Sequence, residues 1–305
     1  MTALSCQTSY KGKMAKRRAF TITAGDQSEN HHTMKKQGNG LAESGFSPAE
    51  LSEAQKRFET ELGCQTEMID LNQNLENTSH ASEEVAGLDA MSAEPARLLV
   101  VERGAAKLLE ASGASAGDAA VELAGLEWDN QFLHYGKVCN KKARYNLCFG
   151  KEPKEKAIAA GQGTVVALAA VPLLASILAS LGHFLGPKAD NLEVEGNYYY
   201  DLDDKGVGMG FHGDGERKKV VAWRLGDPFW IVFQWFYRGK AVGKPIRRRL
   251  GNGDLYIMSE KTSGWDWKLK RCPSTQEYMP TLRHAVADKL DSRYLKLKPG
   301  QQWKV

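Results

Sequence analysis

The chain after Pro187 is a series of short β-forming segments separated by turn signals, and this spacing restricts the fold more than any other feature. Strands are predicted over residues 193–202, 208–212, 218–225, 230–237, 245–250, 255–260, 278–286 and 293–297. Eight strands at this spacing are typical of a jelly roll or barrel. Because helices are predicted before the strands rather than between them, a doubly wound α/β fold is not expected. We therefore expect an α+β protein built on a jelly roll, the double-stranded β-helix, with supporting N-terminal helices.

The first part of the chain has a different composition. Residues 1–93 are rich in Ser, Gly, Asn, Gln, Glu and Lys and contain few aromatic residues. Such a segment buries too little apolar surface to offset the entropy lost on ordering. We therefore predict a disordered, low-complexity tail over residues 1–93 and one folded domain over residues 94–305. One helix is expected inside the tail at 51–62, because Ser47-Pro48-Ala49-Glu50 offers an N-cap, an N1 proline and an early acid.

A charge-free segment precedes the strands. Residues 157–187 contain no Asp, Glu, Lys or Arg, and this length could span a bilayer. Gln162, Pro172 and His183 interrupt the segment, and many of its residues are small. A buried core helix over 172–185 is therefore favoured over a membrane span. Shorter helices are predicted at 105–111 and 119–125, and no stable membrane association is expected.

Bulk properties favour an intracellular protein. The five cysteines are scattered without a CxxC pair, which indicates neither a disulfide framework nor a zinc site. We expect a monomer in the nucleus or cytoplasm. The basic residues between Lys11 and Arg18 also allow organelle targeting. The net charge of +4 does not by itself indicate a nucleic-acid partner.

Candidate metal ligands lie among the predicted strands. His212 and Asp214 are two residues apart, so on a strand their side chains point to the same face. They would supply two thirds of a 2-His-1-carboxylate triad, which holds Fe(II) and leaves open positions. His284 is the only histidine after His212 and lies on a late predicted strand. It could face His212 across the mouth of a barrel, although a surface turn and a structural histidine would explain the same residues.

Several motifs in order resemble the Fe(II)/2-oxoglutarate dioxygenases, and among them the AlkB-like family. The resemblance covers roughly residues 98–297. Asn197-Tyr198-Tyr199 resembles the Asn-x-Tyr strand, and residues 212–217 resemble the metal strand with the acidic turn that follows it. Residues 250–255 resemble the Gly-Asp turn before a later strand, and residues 136–150 resemble the lid that recognises a nucleotide.

The resemblance implies an iron enzyme. His212, Asp214 and His284 would bind Fe(II), with O2 and 2-oxoglutarate as co-substrates. The implied reaction converts 2-oxoglutarate to succinate and carbon dioxide while a substrate C–H bond is hydroxylated. On an N-methyl group the hydroxymethyl product loses formaldehyde. The chain is therefore expected to be an oxidoreductase that demethylates a methylated or alkylated nucleic-acid base, as in DNA repair.

The resemblance also implies which residues hold the co-substrate and the substrate. Asn197 and Tyr199 would hydrogen-bond 2-oxoglutarate. An arginine would meet its distal carboxylate, because a buried carboxylate without a partner is costly and the guanidinium fork matches it. Arg293 is the first choice for this role and Arg144 is the alternative. Glu216, together with Arg144 in the lid, would contact the base.

The substrate prediction depends on a basic stretch. Residues 217–249 contain many lysines and arginines against one acid, Asp227. Cations for phosphates and aromatic rings for stacking suit an enzyme that acts on a flipped base. The aromatic residues in question are Trp223, Trp230, Trp235, Phe236 and Tyr237. A solvated strand face above core aromatics is the alternative interpretation. Two other functions stay open, which are hydroxylation of a protein side chain or small molecule and a non-catalytic nucleic-acid-binding jelly roll.

Overall fold

Two main β-sheets, two small two-stranded sheets and a layer of helices make up the part of the protein that a computed structural model describes, residues 16–76, 93–269, 271, 273 and 278–287. The strands are β1 Ala19–Gly25, β2 Ser28–Glu29, β3 Lys36–Gln37, β4 Thr66–Asp70, β5 Arg97–Val101, β6 Gln131–His134, β7 Lys137–Asn140, β8 Tyr145–Gly150, β9 Val165–Ala167, β10 Glu193–Tyr199, β11 Met209–His212, β12 Val220–Gly226, β13 Phe229–Tyr237, β14 Lys240–Leu250, β15 Leu255–Met258 and β16 Thr281–Val286. The helices are α1 Pro48–Leu62, α2 Gln73–Glu76, α3 Gly104–Glu110, α4 Ala116–Ala124, α5 Pro172–Leu185 and α6 Glu260–Ser263, with 3-10 turns at Ile158–Ala160, Leu168–Ala170 and Pro187–Ala189. The predicted α+β class is confirmed.

The larger sheet has eight strands in the order β4-β5-β15-β12-β1-β10-β8-β9. β1 lies near its centre and pairs antiparallel with β10 on one side and β12 on the other. All seven residues of β1 are buried. The N-terminal segment is therefore an integral part of the sheet.

The prediction of a disordered tail is wrong for residues 16–76. Phe20, Ile22 and Ala24 of β1 pack into the core beneath the helices, while Thr21 and Thr23 face the opposite side. This alternation extends over only seven residues, and the polar composition of the surrounding segment concealed it. Residues 1–15 and 77–92 lie outside the described residues. Helix α1 is confirmed, with the Ser47–Glu50 capping box.

The smaller sheet has four strands in the order β11-β16-β13-β14. It packs on one face of the larger sheet around a shared core that includes Tyr199, Ala222, Phe233, Trp235 and Met258. Within the described residues both sheets have open edges, so the strands form no closed barrel. The expected barrel mouth is therefore replaced by a space between two sheets.

The helices cover the other face of the larger sheet. Phe58 of α1, Leu109 of α3, Leu123 of α4 and Leu181 of α5 share one core with β1 and β12. The predicted core helix at 172–185 is confirmed as α5, and its lack of charge follows from its packing against α1, α3 and α4 in the shared core. None of the helices in the described part of the chain is long and apolar enough to cross a membrane.

The predicted strands between residues 193 and 286 are present, with changed ends. β14 begins five residues earlier than predicted, and β15 ends at Met258 before the short helix α6. Helices and strands are not separated along the chain as expected, because β1, β4, β5 and β8 precede α5 and belong to the larger sheet. The strand predicted at 293–297 lies outside the described residues.

Candidate metal centre

The two candidate histidine ligands are direct neighbours across two paired strands. β11 and β16 are antiparallel, and His212 is registered opposite His284, with ring centroids 4.3 Å apart. The histidines therefore lie side by side in one sheet rather than across a barrel mouth. Asp214 lies in the turn after β11, not on the strand itself. One potential ligand atom from each of the three residues lies within 4.8 Å of the other two.

Donor orientation favours a common metal position. The Asp214 Oδ1 atom lies 3.5 Å from His212 Nε2 and 3.8 Å from His284 Nε2. His212 Nδ1 is 2.9 Å from the Gly210 carbonyl oxygen, so Nδ1 carries the proton and Nε2 is left with its lone pair. Burial, reinforced by His212, lowers the pKa of His284 to about 3, which keeps this ring neutral at neutral pH. A neutral imidazole is the form that binds metal.

Two glycines make this arrangement possible. A Cβ atom at Gly213 would lie 2.1 Å from the carbonyl oxygen of Gly264, which follows α6 with a φ of 69°. The turn after α6 thus packs directly against the backbone between His212 and Asp214. A buried ion pair from Lys261 to Asp266 holds this turn. The glycine of His-Gly-Asp was the sequence signal for this close packing. A larger residue at this position would push the metal turn away from the turn after α6.

Arg217 organises the acidic side chains around the metal turn. Its side chain is 3% exposed, donates to the Gln27 carbonyl oxygen at 2.7 Å and forms an ion pair with Glu195. Its Nη1 atom lies 3.3 Å from Glu216 and 3.6 Å from Asp214. Burial alone would raise the pKa of Asp214, but His284, His212 and Arg217 hold it below its usual range. Asp214 is therefore ionised and ready to act as a ligand.

The three candidate ligands line a cavity of about 560 Å³ between the two sheets. Asn197 and Tyr199 line the same cavity from β10, as the predicted co-substrate role requires. The Asn197 side-chain oxygen accepts hydrogen bonds from Arg144 Nε at 2.6 Å and from Asn146 Nδ2 at 2.8 Å. Tyr199 is fully buried, and its hydroxyl makes no hydrogen bond with the described residues.

Of the other three predicted site residues, two lie at the cavity and one lies outside the described part of the chain. Glu216 and Arg144 also line the cavity. Burial, and to a smaller extent the neighbouring acids, raises the pKa of Glu216 despite Arg217. Arg293, the first choice for the co-substrate arginine, lies outside the described residues.

Sequence reasoning missed the contribution of the N-terminal segment to the cavity. Residues before position 35 line it together with the predicted ones, and they are Thr21, Thr23, Glu29, Asn30, His31 and His32. The polar run from Glu29 to His32 was the available signal. Because residues 1–93 were interpreted from their average composition, the run from Glu29 to His32 was overlooked, as was β1.

The predicted lid is a β-hairpin at the rim of the cavity. β6 and β7 pair through a tight turn at Tyr135 and Gly136, both with positive φ. The Phe132 ring lies 4.0 Å from the ring of His31, which lines the cavity. The hairpin therefore packs against a residue of the cavity wall, and its own residues 131–140 are not among those that line the cavity.

Comparison with known proteins identifies a viral relative. No known protein-family profile matches the chain. An uncharacterized protein of Acanthamoeba polyphaga mimivirus is 37% identical over 267 residues, which is 88% of this chain and 94% of the viral protein. The chain belongs to the same protein family as this viral protein. The similarity therefore extends over nearly the whole viral chain.

The basic stretch predicted as a nucleic-acid surface is divided in this family member. Arg217 and Arg224 are buried, and Arg248 pairs with Glu67 and Glu102. Of the five aromatic residues, only Trp230 is not buried, because the others belong to the core. The burial of these rings agrees with the alternative interpretation, in which core aromatics lie beneath a strand face. Alternate positions on these strands face inward, so charged and aromatic residues that are neighbours in sequence do not form one surface.

A different set of cations and rings lies beside the cavity. Arg283 stacks on Phe236 at 4.2 Å and lies 5.1 Å from Trp267, and Arg238 stacks on Tyr278 at 4.4 Å. These residues line a groove of about 510 Å³. Trp267 lines both this groove and the metal cavity. A bound molecule could therefore extend from the groove to the candidate metal centre.

Proposed function

We propose that this protein is an Fe(II)- and 2-oxoglutarate-dependent oxygenase of the AlkB-like type. The convergence of His212, Asp214 and His284 in the wall of one cavity carries the proposal. Two imidazoles and one carboxylate are the donor set of the facial triad that binds non-haem Fe(II). Iron held in this way, with O2 and 2-oxoglutarate, supplies hydroxylation of an unactivated C–H bond together with succinate and carbon dioxide.

The residues around the ligands have defined tasks in this proposal. Gly210 fixes the His212 ring through its carbonyl oxygen, which leaves Nε2 for the metal. Arg217 balances the charge of Asp214 and holds the metal turn to β10 through Glu195. Asn197 and Tyr199 offer an amide and a hydroxyl to the co-substrate from the opposite sheet. The protein thereby orients the reactants and limits access of water.

The path of the chain supports a jelly roll. Among the strands from β10 to β16, the larger sheet contains β10, β12 and β15, and the smaller sheet contains β11, β13, β14 and β16. The chain therefore passes back and forth between the two sheets. Seven strands alternating in this way need an eighth between the first and the third. β1 lies at this position, between β10 and β12. We infer a double-stranded β-helix whose eighth strand comes from the N-terminal segment, so the proposed domain extends beyond the predicted start at residue 94.

The substrate that we propose is a methylated or alkylated base in a nucleic acid. Arginine–aromatic stacking in the groove beside the cavity supports it, because such pairs bind bases and phosphates of a single strand. The rings of His31 and His32 on the cavity wall offer further planar contacts. Salt provides a test, since each lost phosphate contact should flatten the slope of log K against log[salt] by roughly 0.7.

A matched pair of variants makes the salt test specific. Arg238→Gln should weaken binding of a single-stranded oligonucleotide and flatten its salt slope, because Arg238 lines the groove. Arg249→Gln removes the same charge from an exposed position on β14 that lines neither cavity nor groove, so it should have little effect. Equal effects would indicate diffuse attraction, and a flat salt dependence in the wild type would exclude a nucleic-acid substrate.

A cationic protein side chain or small molecule is the second candidate substrate. Glu29, Glu195 and Glu216 line the cavity together with Asp214, and Arg217 is their main counter-ion. Burial, followed by the charges of Glu216 and Glu195, raises the pKa of Glu29 to about 7. This excess of carboxyl groups favours a ligand that carries positive charge or hydrogen-bond donors.

Succinate formation tests the reaction itself. The full-length protein with Fe(II), O2 and 2-oxoglutarate should release succinate, and His212→Ala should not. Arg249→Gln serves as the folded control with an intact centre. If wild type and His212→Ala give the same background with both nucleic-acid and peptide substrates, the oxygenase proposal is wrong and a non-catalytic binding module takes its place.

A further inference from the structure

Arg224, on β12, is a buried arginine without a matching anion. Its residue exposure is 0%, and its Nη1 atom donates a hydrogen bond to Thr21 Oγ1. The guanidinium stacks on the Phe229 ring at 3.8 Å. Its Nε and Nη2 atoms make no hydrogen bond with the residues that the structure describes. A buried cation with two donor atoms that make no hydrogen bond is unfavourable. We therefore expect a bound ligand to accept hydrogen bonds from these two atoms.

Asp254 does not supply the missing anion for Arg224. Asp254 influences Arg224 electrostatically, but its carboxylate accepts from the backbone N–H groups of Arg103 at 2.9 Å and Gly251 at 2.7 Å. Among the described carboxylates, none forms an ion pair with Arg224. The guanidinium is therefore a preformed site for an anion from outside the fold.

A second unsatisfied donor lies nearby. The Tyr199 hydroxyl is fully buried without a hydrogen-bond partner in the described structure. Thr21 is registered between Asn197 of β10 and Arg224 of β12, so these three side chains form a row on one face of the sheet. Thr21, Asn197 and Tyr199 all line the cavity that contains the candidate metal ligands. Arg224 does not itself line this cavity, and it reaches the lining residues through its hydrogen bond to Thr21.

The other arginines of the cavity are already engaged, and its lysine, Lys268, is exposed beside the Trp267 ring. Arg144 donates Nε to Asn197, and Arg217 is surrounded by Glu195, Glu216 and Asp214. A new carboxylate would have to displace the acids around Arg217, and Arg144 is only half-buried and already engages Asn197. Arg224 has two free donor atoms in a planar fork, which matches the two oxygens of a carboxylate.

We propose that Arg224, together with the hydroxyls of Tyr199 and Thr21, binds the distal carboxylate of a dicarboxylate whose other end reaches the metal centre. This inference rests on the proposed function and assigns its co-substrate anchor to β12, rather than to Arg144 or Arg293. The ligand class is a 2-oxo acid that carries a second carboxylate. A 2-oxo acid of the same length with a methyl group in that place would leave the guanidinium unpaired.

Binding without turnover tests the anchor. Wild-type protein loaded with Mn(II) is titrated with 2-oxoglutarate and with 2-oxovalerate, which has the same chelating end but no distal carboxylate. The wild type should prefer 2-oxoglutarate by roughly 100-fold, the scale of two charge-assisted hydrogen bonds. Arg224→Met should abolish most of this preference, whereas Arg249→Gln, at an exposed position of β14 that does not line the cavity, should preserve it.

Tyr199→Phe is the second variant, because Arg224→Met removes a packed side chain and could unfold the protein. It should weaken 2-oxoglutarate roughly tenfold without weakening 2-oxovalerate. Its melting temperature without ligand should change little, since the hydroxyl makes no well-formed hydrogen bond in the described structure and the neighbouring Thr21 hydroxyl already accepts from Arg224. A lower melting temperature with unchanged affinity would assign the hydroxyl a structural role and overturn its part in the anchor.

The outcomes separate the anchor from the oxygenase proposal. If the Mn(II)-loaded wild type binds both 2-oxo acids equally, the metal centre stands and the anchor is wrong. If the preference survives in both Arg224→Met and Tyr199→Phe, the distal carboxylate binds elsewhere. If the wild type binds neither acid, the 2-oxoglutarate proposal fails and the anchor fails with it.

Discussion

At the level of single residues, the metal turn depends on close contact between two glycines. Gly213 separates His212 from Asp214, and a Cβ atom added to Gly264, in the turn after α6, would lie 3.0 Å from the Gly213 Cα atom. No side chain fits between these backbones. The metal turn therefore requires the glycine between the ligands as much as the ligands themselves. A search for ligand residues alone would overlook this glycine.

Gly213→Ala should displace the metal turn. Its Cβ atom would lie 2.1 Å from the Gly264 carbonyl oxygen, and such overpacking costs about 1–3 kcal/mol. We expect a lower free energy of unfolding in urea and weaker Mn(II) binding. Gly215→Ala is the matched control two residues away, because its Cβ atom would meet no atom closer than 3.6 Å. Equal losses in both variants would contradict the contact between the turns.

His31 gives the metal-free protein a defined response to acid. Burial, followed by the charge of His32, lowers the pKa of His31 to about 3 from an unfolded value of 6.5. The unfolded chain therefore binds more protons between these pH values, and the free energy of unfolding falls as the pH drops from 6.5 towards 3. The contribution is at most about 1.4 kcal/mol per pH unit, and solvent around the partly buried ring reduces it.

His31→Leu should make this acid-induced loss of stability shallower. Urea unfolding at a series of pH values measures it, with the metal-free wild type as reference. Above pH 7 the ring is neutral in both states, so the difference between the two proteins should be constant there. An unchanged slope between pH 3 and 6.5 would show that His31 is equally accessible in both states.

At the level of secondary-structure elements, β1 decides whether the larger sheet is continuous. Ile22 is fully buried at its centre, in the core shared with the helices. Ile22→Ala should cost about 2–5 kcal/mol of unfolding free energy, as for other large-to-small core changes. Leu41→Ala, at a 45% exposed position of the same N-terminal segment, should change stability little. Equal small effects would be expected only of an unstructured tail.

Elements with a strong local signal were predictable from the sequence. α5 has a charge-free composition and a proline at its first position, and α1 has a complete capping box, so both were located nearly to the residue. β1 was not, because its signal is seven residues long and its stability comes from β10 and β12, which are far away in sequence. Pairing between distant strands leaves little trace in local composition.

The residues of the candidate site also differ in how well the sequence predicts them. His212, Asp214 and Asn197 were found because each lies in a compact motif on one strand or turn. Arg224 was counted among surface cations, since its register opposite Thr21 depends on β1. Residues whose role arises from contact between distant strands therefore escaped sequence reasoning.

At the level of the whole molecule, the two sheets supply different halves of the site. The smaller sheet and its turn carry His212, Asp214 and His284, whereas the larger sheet carries Asn197 and Tyr199. A molecule bound in the cavity between them contacts both sheets. Binding at the centre should therefore stabilise the entire fold rather than one loop.

Metal addition should raise the thermal stability of the protein. A ligand at 100 times its Kd that binds only the folded state contributes about 2.7 kcal/mol, which for a chain of this size is a shift of a few degrees. Differential scanning fluorimetry of the metal-free protein with and without Mn(II) measures this shift. His212→Ala should abolish it, while His183→Ala, which removes an exposed histidine from α5 on the helical layer, should retain it. An equal shift in wild type and His212→Ala would mean that the metal binds outside the His212–Asp214–His284 centre.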